Sequence, residues 1–246
     1  MTQAGPQRFV IIASQRTGSN MLVSALASHP EVHCHGELFR KNKKHFKGAV
    51  KVIASLDERF HDENFQTSHW REYLDAVVEA SGDVAAVGFK IMLNQHDDAR
   101  HALISDNNYR KIFLKRENVL AVYSSNKVAR ETGQGTAGRF AEVRSAQVAF
   151  VPGEFENFMS KYEDRYQATE DELDNSGQTC LKTTYAAICK PEGIKDVLGF
   201  IGVNSSLPWG AKTKKRNSSM LGERFTNPDA VVGYLQQIGK SHWLQE

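Results

Sequence analysis

The chain has 246 residues, 40% of them hydrophobic, enough to bury the core of one large α/β domain, and we read residues 1–246 as that single domain. Its 31 Lys and Arg stand against 29 Asp and Glu, a formal charge of +2, which gives no general attraction to nucleic acid or to an anionic membrane, so any anion site must be local. Three scattered cysteines, Cys34, Cys180 and Cys189, do not make a disulfide framework or a zinc ribbon, and with no run near the ~18 apolar residues of a spanning helix and no signal-like pattern in MTQAGPQ, the expectation is a cytoplasmic protein without an integral membrane segment.

In chain order, Phe9 to Ala13 is a continuous apolar run, the pattern of a strand buried on both faces. The polar SQRTGSN follows and opens an amphipathic segment. A strand feeding such a loop gathers free backbone N–H groups and the positive end of a helix dipole at one point, and Arg16 adds a forked, permanent cation suited to a tetrahedral oxyanion. A nucleotide-triphosphate loop requires Gly-Lys-Ser/Thr, whereas here Gly18 is followed by Ser19 and Asn20. The loop predicts a phosphate-type anion held without that lysine.

Further on, Trp70, Leu74, Val77 and Val78 mark one face of a helix that ends near Gly82. Strands are predicted at Val84–Leu93, Arg110–Arg116 and Gln178–Tyr185, each separated from the last by helical periodicity, which argues for βαβ crossovers. Phe155, Phe158, Met159, Tyr162 and Tyr166 form the apolar stripe of a helix over Glu154–Asp174, read as core packing. Another helix is expected in GIKDVLGFIGV, and Asn227-Pro228 reads as the N-cap and first residue of a last one. Asn204–Gly222 reads as a long basic loop, mobile when empty and ordering over a bound phosphate.

Several residues draw attention singly. Lys90 sits in the apolar run VGFKIML, and because an unpaired buried ammonium is costly, it is expected to emerge at the strand's end toward an anion. Asn94 and Gln95 follow it as candidates for acceptor hydroxyls or for a turn. His29, His33, Cys34 and His35 invite a metal reading, but no second ligand pair follows and His33 and Cys34 would point to opposite faces of an extended segment, so no metal is expected. The pair Lys43-Lys44 reads as a solvated loop.

Taken together, ASQRTGSNML resembles the 5'-phosphosulfate loop of sulfotransferases that use 3'-phosphoadenosine 5'-phosphosulfate (PAPS), with Gln15 where proline is common. FLKRENVLAVYSSNKVA is similar to the family's 3'-phosphate motif, with Arg116 at a strand end and Ser124 eight residues on. HGELF, VGFKIMLNQ and GERFTNPDAV resemble the bacterial carbohydrate branch, of the Nod-factor and trehalose kind. The family's Gly-x-x-Gly-x-x-Lys cap is absent as such, and AKTKKRNSS offers Lys212, Lys214, Lys215 and Arg216 in its place.

The resemblance implies a P-loop-like three-layer α/β fold, with a mainly parallel sheet of four or five strands flanked by helices. It implies that Arg16, Thr17, Gly18, Ser19 and Asn20 hold the 5'-phosphosulfate of PAPS. Arg116 and Ser124, with a base from Lys214, Lys215 or Arg216, would hold its 3'-phosphate. Glu37 would be the general base, and Arg16 and Lys90 would offset charge on the leaving phosphate. His33 or His35 is the rival base. The partner is a hydroxyl acceptor, a carbohydrate or glycolipid, in a protein that is a candidate homodimer. The alternatives are a small-molecule kinase using Mg-ATP and a non-catalytic adenosine-phosphate-binding protein.

Overall fold

A computed structural model describes residues 5–40, 52–134, 146–210 and 220–246. Five strands form one sheet: β1 (Gln7–Ala13), β2 (Val32–Glu37), β3 (Ala86–Met92), β4 (Tyr109–Lys115) and β5 (Cys180–Thr184). They lie in the order β2-β3-β1-β4-β5, and every pairing is parallel. The sheet is thus the five-stranded, fully parallel limit of the four or five mainly parallel strands expected. Sequence periodicity missed β2 because the apolar–polar alternation of VHCHGE covers only Val32 to His35 and the segment has no apolar run.

Helices among the described residues include α1 (Ser19–Leu26), α2 (Glu63–Ser68), α3 (Trp70–Ala80), α4 (Asp97–Ser105), α5 (Val119–Thr132), α6 (Pro152–Asn175), α7 (Tyr185–Ile188), α8 (Pro191–Phe200) and α9 (Pro228–Gln237). They cover both faces of the sheet, which is why strands such as β1 and β3 are apolar at nearly every position. Phe9, Ile11 and Ala13 of β1 pack with α1 and α8, through Leu22, Leu26, Val197 and Leu198. Val10 and Ile12 face the other layer, where Leu74, Val77, Leu103, Leu120, Phe155 and Tyr166 from α3, α4, α5 and α6 meet. Asn227 precedes α9 as predicted but makes no cap bond. Its amide instead clasps Phe150, accepting from the backbone N at 2.8 Å and donating to the backbone O at 3.0 Å.

β1 is central, and the chain leaves β1 toward β2 and β4 toward β5 in opposite directions across the sheet. A crevice therefore opens beyond the carboxyl ends of these adjacent strands, the place where open α/β sheets bind ligands. Both segments the sequence singled out, 14–20 after β1 and Arg116 after β4, lie at this point. No helix among the described residues is long and apolar enough to cross a membrane.

Candidate functional site

The loop after β1 turns on two residues with positive φ, Arg16 at 65° and Gly18 at 86°. Gly18 is required there twice over. Its left-handed backbone favours glycine, and a Cβ would stand 2.5 Å from the Tyr185 ring. Gly18 also opens α1, its carbonyl accepting from the N–H groups of Met21 and Leu22, so the helix's first N–H groups face the crevice as an anion site requires. Buried Thr17 donates from its hydroxyl to the Ser14 carbonyl at 2.7 Å, closing the turn internally. Arg16 Nε donates to Ser125 Oγ at 2.9 Å, tying the loop to α5.

Two tyrosines of α6 fasten the crevice from beneath. Tyr166 Oη accepts from the Ser14 N–H at 2.9 Å and donates to the Leu114 carbonyl at 2.8 Å. Tyr162 Oη donates to the Arg116 carbonyl at 2.9 Å and takes the Arg116 N–H at 3.2 Å. Burial raises both phenols far enough to keep them as hydroxyls that can donate and accept at once. The stripe that reads as core packing in the sequence therefore also fixes the loops after β1 and β4.

On one side of the loop lies a buried polar network. The ladder between β2 and β3 shifts register between Cys34 and Glu37, and Glu37 ends opposite Lys90. The Lys90 ammonium lies 3.3 Å from Glu37 Oε1, donates to Asn20 Oδ1 and reaches Ser19 Oγ at 3.4 Å. Burial lowers the Lys90 pKa, and Glu37 opposes that shift. Glu37 Oε2 accepts from Gln95 Nε2 at 2.8 Å, and Gln95 Oε1 in turn takes the Met92 N–H at 3.1 Å. Lys90 does not emerge at a strand end as expected. It lies inside β3, fully buried, because three oxygen-bearing side chains receive its ammonium within the sheet edge. An ammonium from β3 thus stands beside Ser19, the residue that follows Gly18 in the loop.

On the other side is a cluster of arginines. Arg116 Nη1 donates to the Arg16 carbonyl at 2.7 Å, its guanidinium lies over the Tyr185 ring at 4.1 Å, and its remaining fork holds Glu246, with Nε to Oε1 at 2.6 Å. Ser124 is buried on α5. Its hydroxyl takes a bond from Arg224 Nη1 at 3.0 Å. Arg224 is itself buried and its pKa is pushed down to about 10, chiefly by burial and then by Arg116, with Glu246 opposing. Arg116 and Ser124 come to one region as the spacing predicted. Arg224, Tyr185 and Glu246 were not foreseen. The first lies within the GERF block, but no local signal shows that it crosses 100 residues to reach Ser124.

The other candidates disperse. His35 is buried against Ser81, 2.9 Å from Nε2 to Oγ, and burial, with some help from His33, lowers its pKa to about 4. His33 is exposed, and His29 Nε2 pairs with the Asn204 carbonyl at 2.9 Å. Neither His33 nor His35 joins the Glu37–Lys90 network through a hydrogen bond or ion pair. Gln95 bonds Glu37 and a turn rather than standing open toward an acceptor. Lys43, Lys44, Lys212, Lys214, Lys215 and Arg216, with all of 211–219 in the basic loop, lie outside the described residues.

No family model matches the chain, and no curated protein matches it. Among solved structures it is similar to a sulfotransferase from Alicyclobacillus acidocaldarius, at 15% identity and a TM-score of 0.47 over 97% of this chain and 95% of that one. It is also similar to the sulfotransferase domain of the Synechococcus PCC 7002 olefin synthase, at 15% identity and a TM-score of 0.46 over 83% of this chain and 76% of that one. Likeness at this level carries no weight for chemistry, and the functional reading rests on the residues themselves.

Proposed function

We propose that this chain, acting as one domain, transfers a sulfuryl group from PAPS to a hydroxyl of a carbohydrate or glycolipid acceptor. The observation that carries the reading is that one loop, 14–20, is gripped from both sides. Arg116 bonds its backbone from β4, and the Lys90–Glu37 pair reaches its Ser19 and Asn20 from β3. A donor with an anion at each end, lying across the crevice, matches cations on both sides of the loop.

In this reading Arg16, Thr17, Gly18, Ser19 and Asn20 receive the 5'-phosphosulfate through the open N-terminus of α1. Arg116, Ser124 and Arg224 receive the 3'-phosphate, with Lys214, Lys215 or Arg216 as a further base. The acceptor oxygen forms its bond to sulfur as the sulfur–oxygen bond to the 5'-phosphate breaks, and the acceptor's proton passes to Glu37. Each Glu37 oxygen already accepts one hydrogen bond and has capacity for a second, so Lys90 and Gln95 can orient the carboxylate without filling it. Lys90 then stabilises the charge left on the departing 5'-phosphate. Nothing in this sequence of steps requires a metal.

A second reading, a magnesium-dependent kinase, is favoured by one observation: Lys90 brings an ammonium to the loop position where nucleotide kinases carry their lysine. Titration separates the two. The sulfotransferase reading expects 3',5'-adenosine bisphosphate to bind without magnesium and far more tightly than Mg-ATP, and sulfur-labelled PAPS to label a glycan or glycolipid in a panel. Tighter, magnesium-dependent ATP binding would establish the kinase. Bisphosphate binding with no labelled product across carbohydrates, lipids and phenols would point to a non-catalytic binder.

A further inference from the structure

Arg116 already carries a carboxylate, and the way that carboxylate is delivered has a built character. Segment 240–246 is fastened along its length. Trp243 is buried edge-on to Phe155, Asn118 Nδ2 donates to the carbonyls of Trp243 at 3.0 Å and Gln245 at 3.3 Å, and Gln245 forms an antiparallel bridge with Met220. The Glu246 side chain leaves this anchored backbone and meets Arg116 with both oxygens, Oε1 on Nε and Oε2 on Nη2. This is the two-pronged geometry by which a guanidinium also takes a phosphate. Arg224 stands near enough for Glu246 and Arg116 to act on its charge, and it is joined to Ser124.

We propose that Glu246 is an intramolecular occupant of this anion site: its side chain holds the Arg116 fork in binding geometry, and a phosphate monoester must displace it to bind. The proposal rests on the reading of Arg116 as a ligand for the donor's second phosphate. Its consequence is selectivity. A monoester carries close to two negative charges near neutral pH, so exchanging it for one carboxylate between two arginines is favourable. A nucleotide with a bare 3'-hydroxyl cannot make the exchange and leaves Glu246 in place. Because the backbone of 243–245 is held independently, the exchange needs only rotation of the Glu246 side chain, and the displaced carboxylate stays tethered to return when product leaves.

The test is the phosphate affinity of Glu246→Gln in the full chain. Removing the competitor should tighten inorganic phosphate and 3',5'-adenosine bisphosphate by about tenfold, as expected when a binding-competent state is no longer in the minority, and should leave 5'-AMP unchanged. Unchanged or weaker phosphate binding would overturn the proposal and leave Glu246 a structural support for Arg116. So would an equal gain for 5'-AMP, or no phosphate binding by either protein. If Glu246→Gln fails to fold, Glu246→Asp, which keeps the charge but withdraws it by one methylene, should give a smaller gain of the same sign, and no gain overturns the proposal. The two readings fail separately. Tighter phosphate with no bisphosphate binding would sink the PAPS reading alone, while bisphosphate binding indifferent to Glu246→Gln would sink this one alone.

Discussion

The two flanks of the 14–20 loop solve opposite electrostatic problems. Toward β3 the polar groups pair off: Lys90 against Glu37, Glu37 against Gln95, Asn20 against Lys90. Toward β4 two arginines share one carboxylate and keep an excess of positive charge: Arg116 is paired with Glu246, and Arg224 is close enough for Arg116 to lower its pKa. A flank whose charges are matched within the protein keeps its geometry without a ligand and suits the work of orienting groups for chemistry. A flank of clustered cations is improved by an arriving anion and suits binding. The proposed division into a catalytic side and a phosphate side follows from that contrast.

The largest expected effect breaks the contrast at its catalytic end. Glu37→Gln keeps the amide-sized shape and the contacts to Lys90 and Gln95 but cannot take a proton, and turnover should fall by about 10² to 10⁴-fold, the usual contribution of a positioned base. Bisphosphate affinity, measured by calorimetry, should barely move because the substitution is on the far flank. A variant that stays active would pass the role to another group, and loss of bisphosphate binding would mean that the flanks are not separable.

Next comes Lys90→Met. It leaves the Glu37 carboxylate buried beside an apolar chain, and breaking a buried pair from one side costs about 3 to 5 kcal/mol. Chemical denaturation should show that loss, and the double variant Lys90→Met/Glu37→Gln should recover part of it because the stranded charge has gone. A double variant no more stable than the single would show that Lys90 matters to folding through Asn20 and Ser19 instead.

On the binding side, Arg116→Ala should weaken the bisphosphate by on the order of 1.5 to 3 kcal/mol, the range for a charged hydrogen bond, and weaken 5'-AMP less. Equal losses for the two ligands would place Arg116's effect in the loop backbone, through its bond to the Arg16 carbonyl, and would dissolve the distinction between the flanks.

The contrast also explains what could be read from the sequence. The catalytic flank announces itself locally. A lysine inside an apolar run and a Gly-Glu pair after the first βα unit are anomalies visible without a fold, although Lys90's depth inside β3 was not, since that depends on Asn20 and Glu37 arriving from other strands and helices. The phosphate flank depends on partners far apart in the chain. Arg116 and Ser124 share one βα unit and so kept a readable spacing, whereas Arg224 and Glu246 reach them across 100 and 130 residues, a distance no periodicity spans. β2 was missed for a related reason. Its buried positions include His35 and Glu37, whose partners Ser81 and Lys90 lie 46 and 53 residues on, so its pattern is not that of an apolar packing strand.

The smallest prediction sharpens the contrast from a group beside the catalytic flank. His35 lies on β2 two residues before Glu37, buried against Ser81, and its pKa falls from 6.5 to about 4 because burial disfavours the imidazolium. A folded-state pKa below the unfolded value means that the unfolded chain binds the proton first. The stability His35 contributes is therefore intact above about pH 6.5 and is lost progressively as pH falls toward 4. Between pH 7 and 5.5 the loss should be about 1 kcal/mol from this residue. Urea denaturation of the protein and of His35→Asn at the two pH values isolates it, because the carboxylates common to both cancel in the comparison. The variant should show the shallower pH slope and keep most of its activity, since the imidazole is bonded to Ser81 and takes no part in the Glu37 network. An unchanged slope would mean that the imidazole is hydrated rather than buried, and a collapse in activity would make His35 the base and move the chemistry off Glu37.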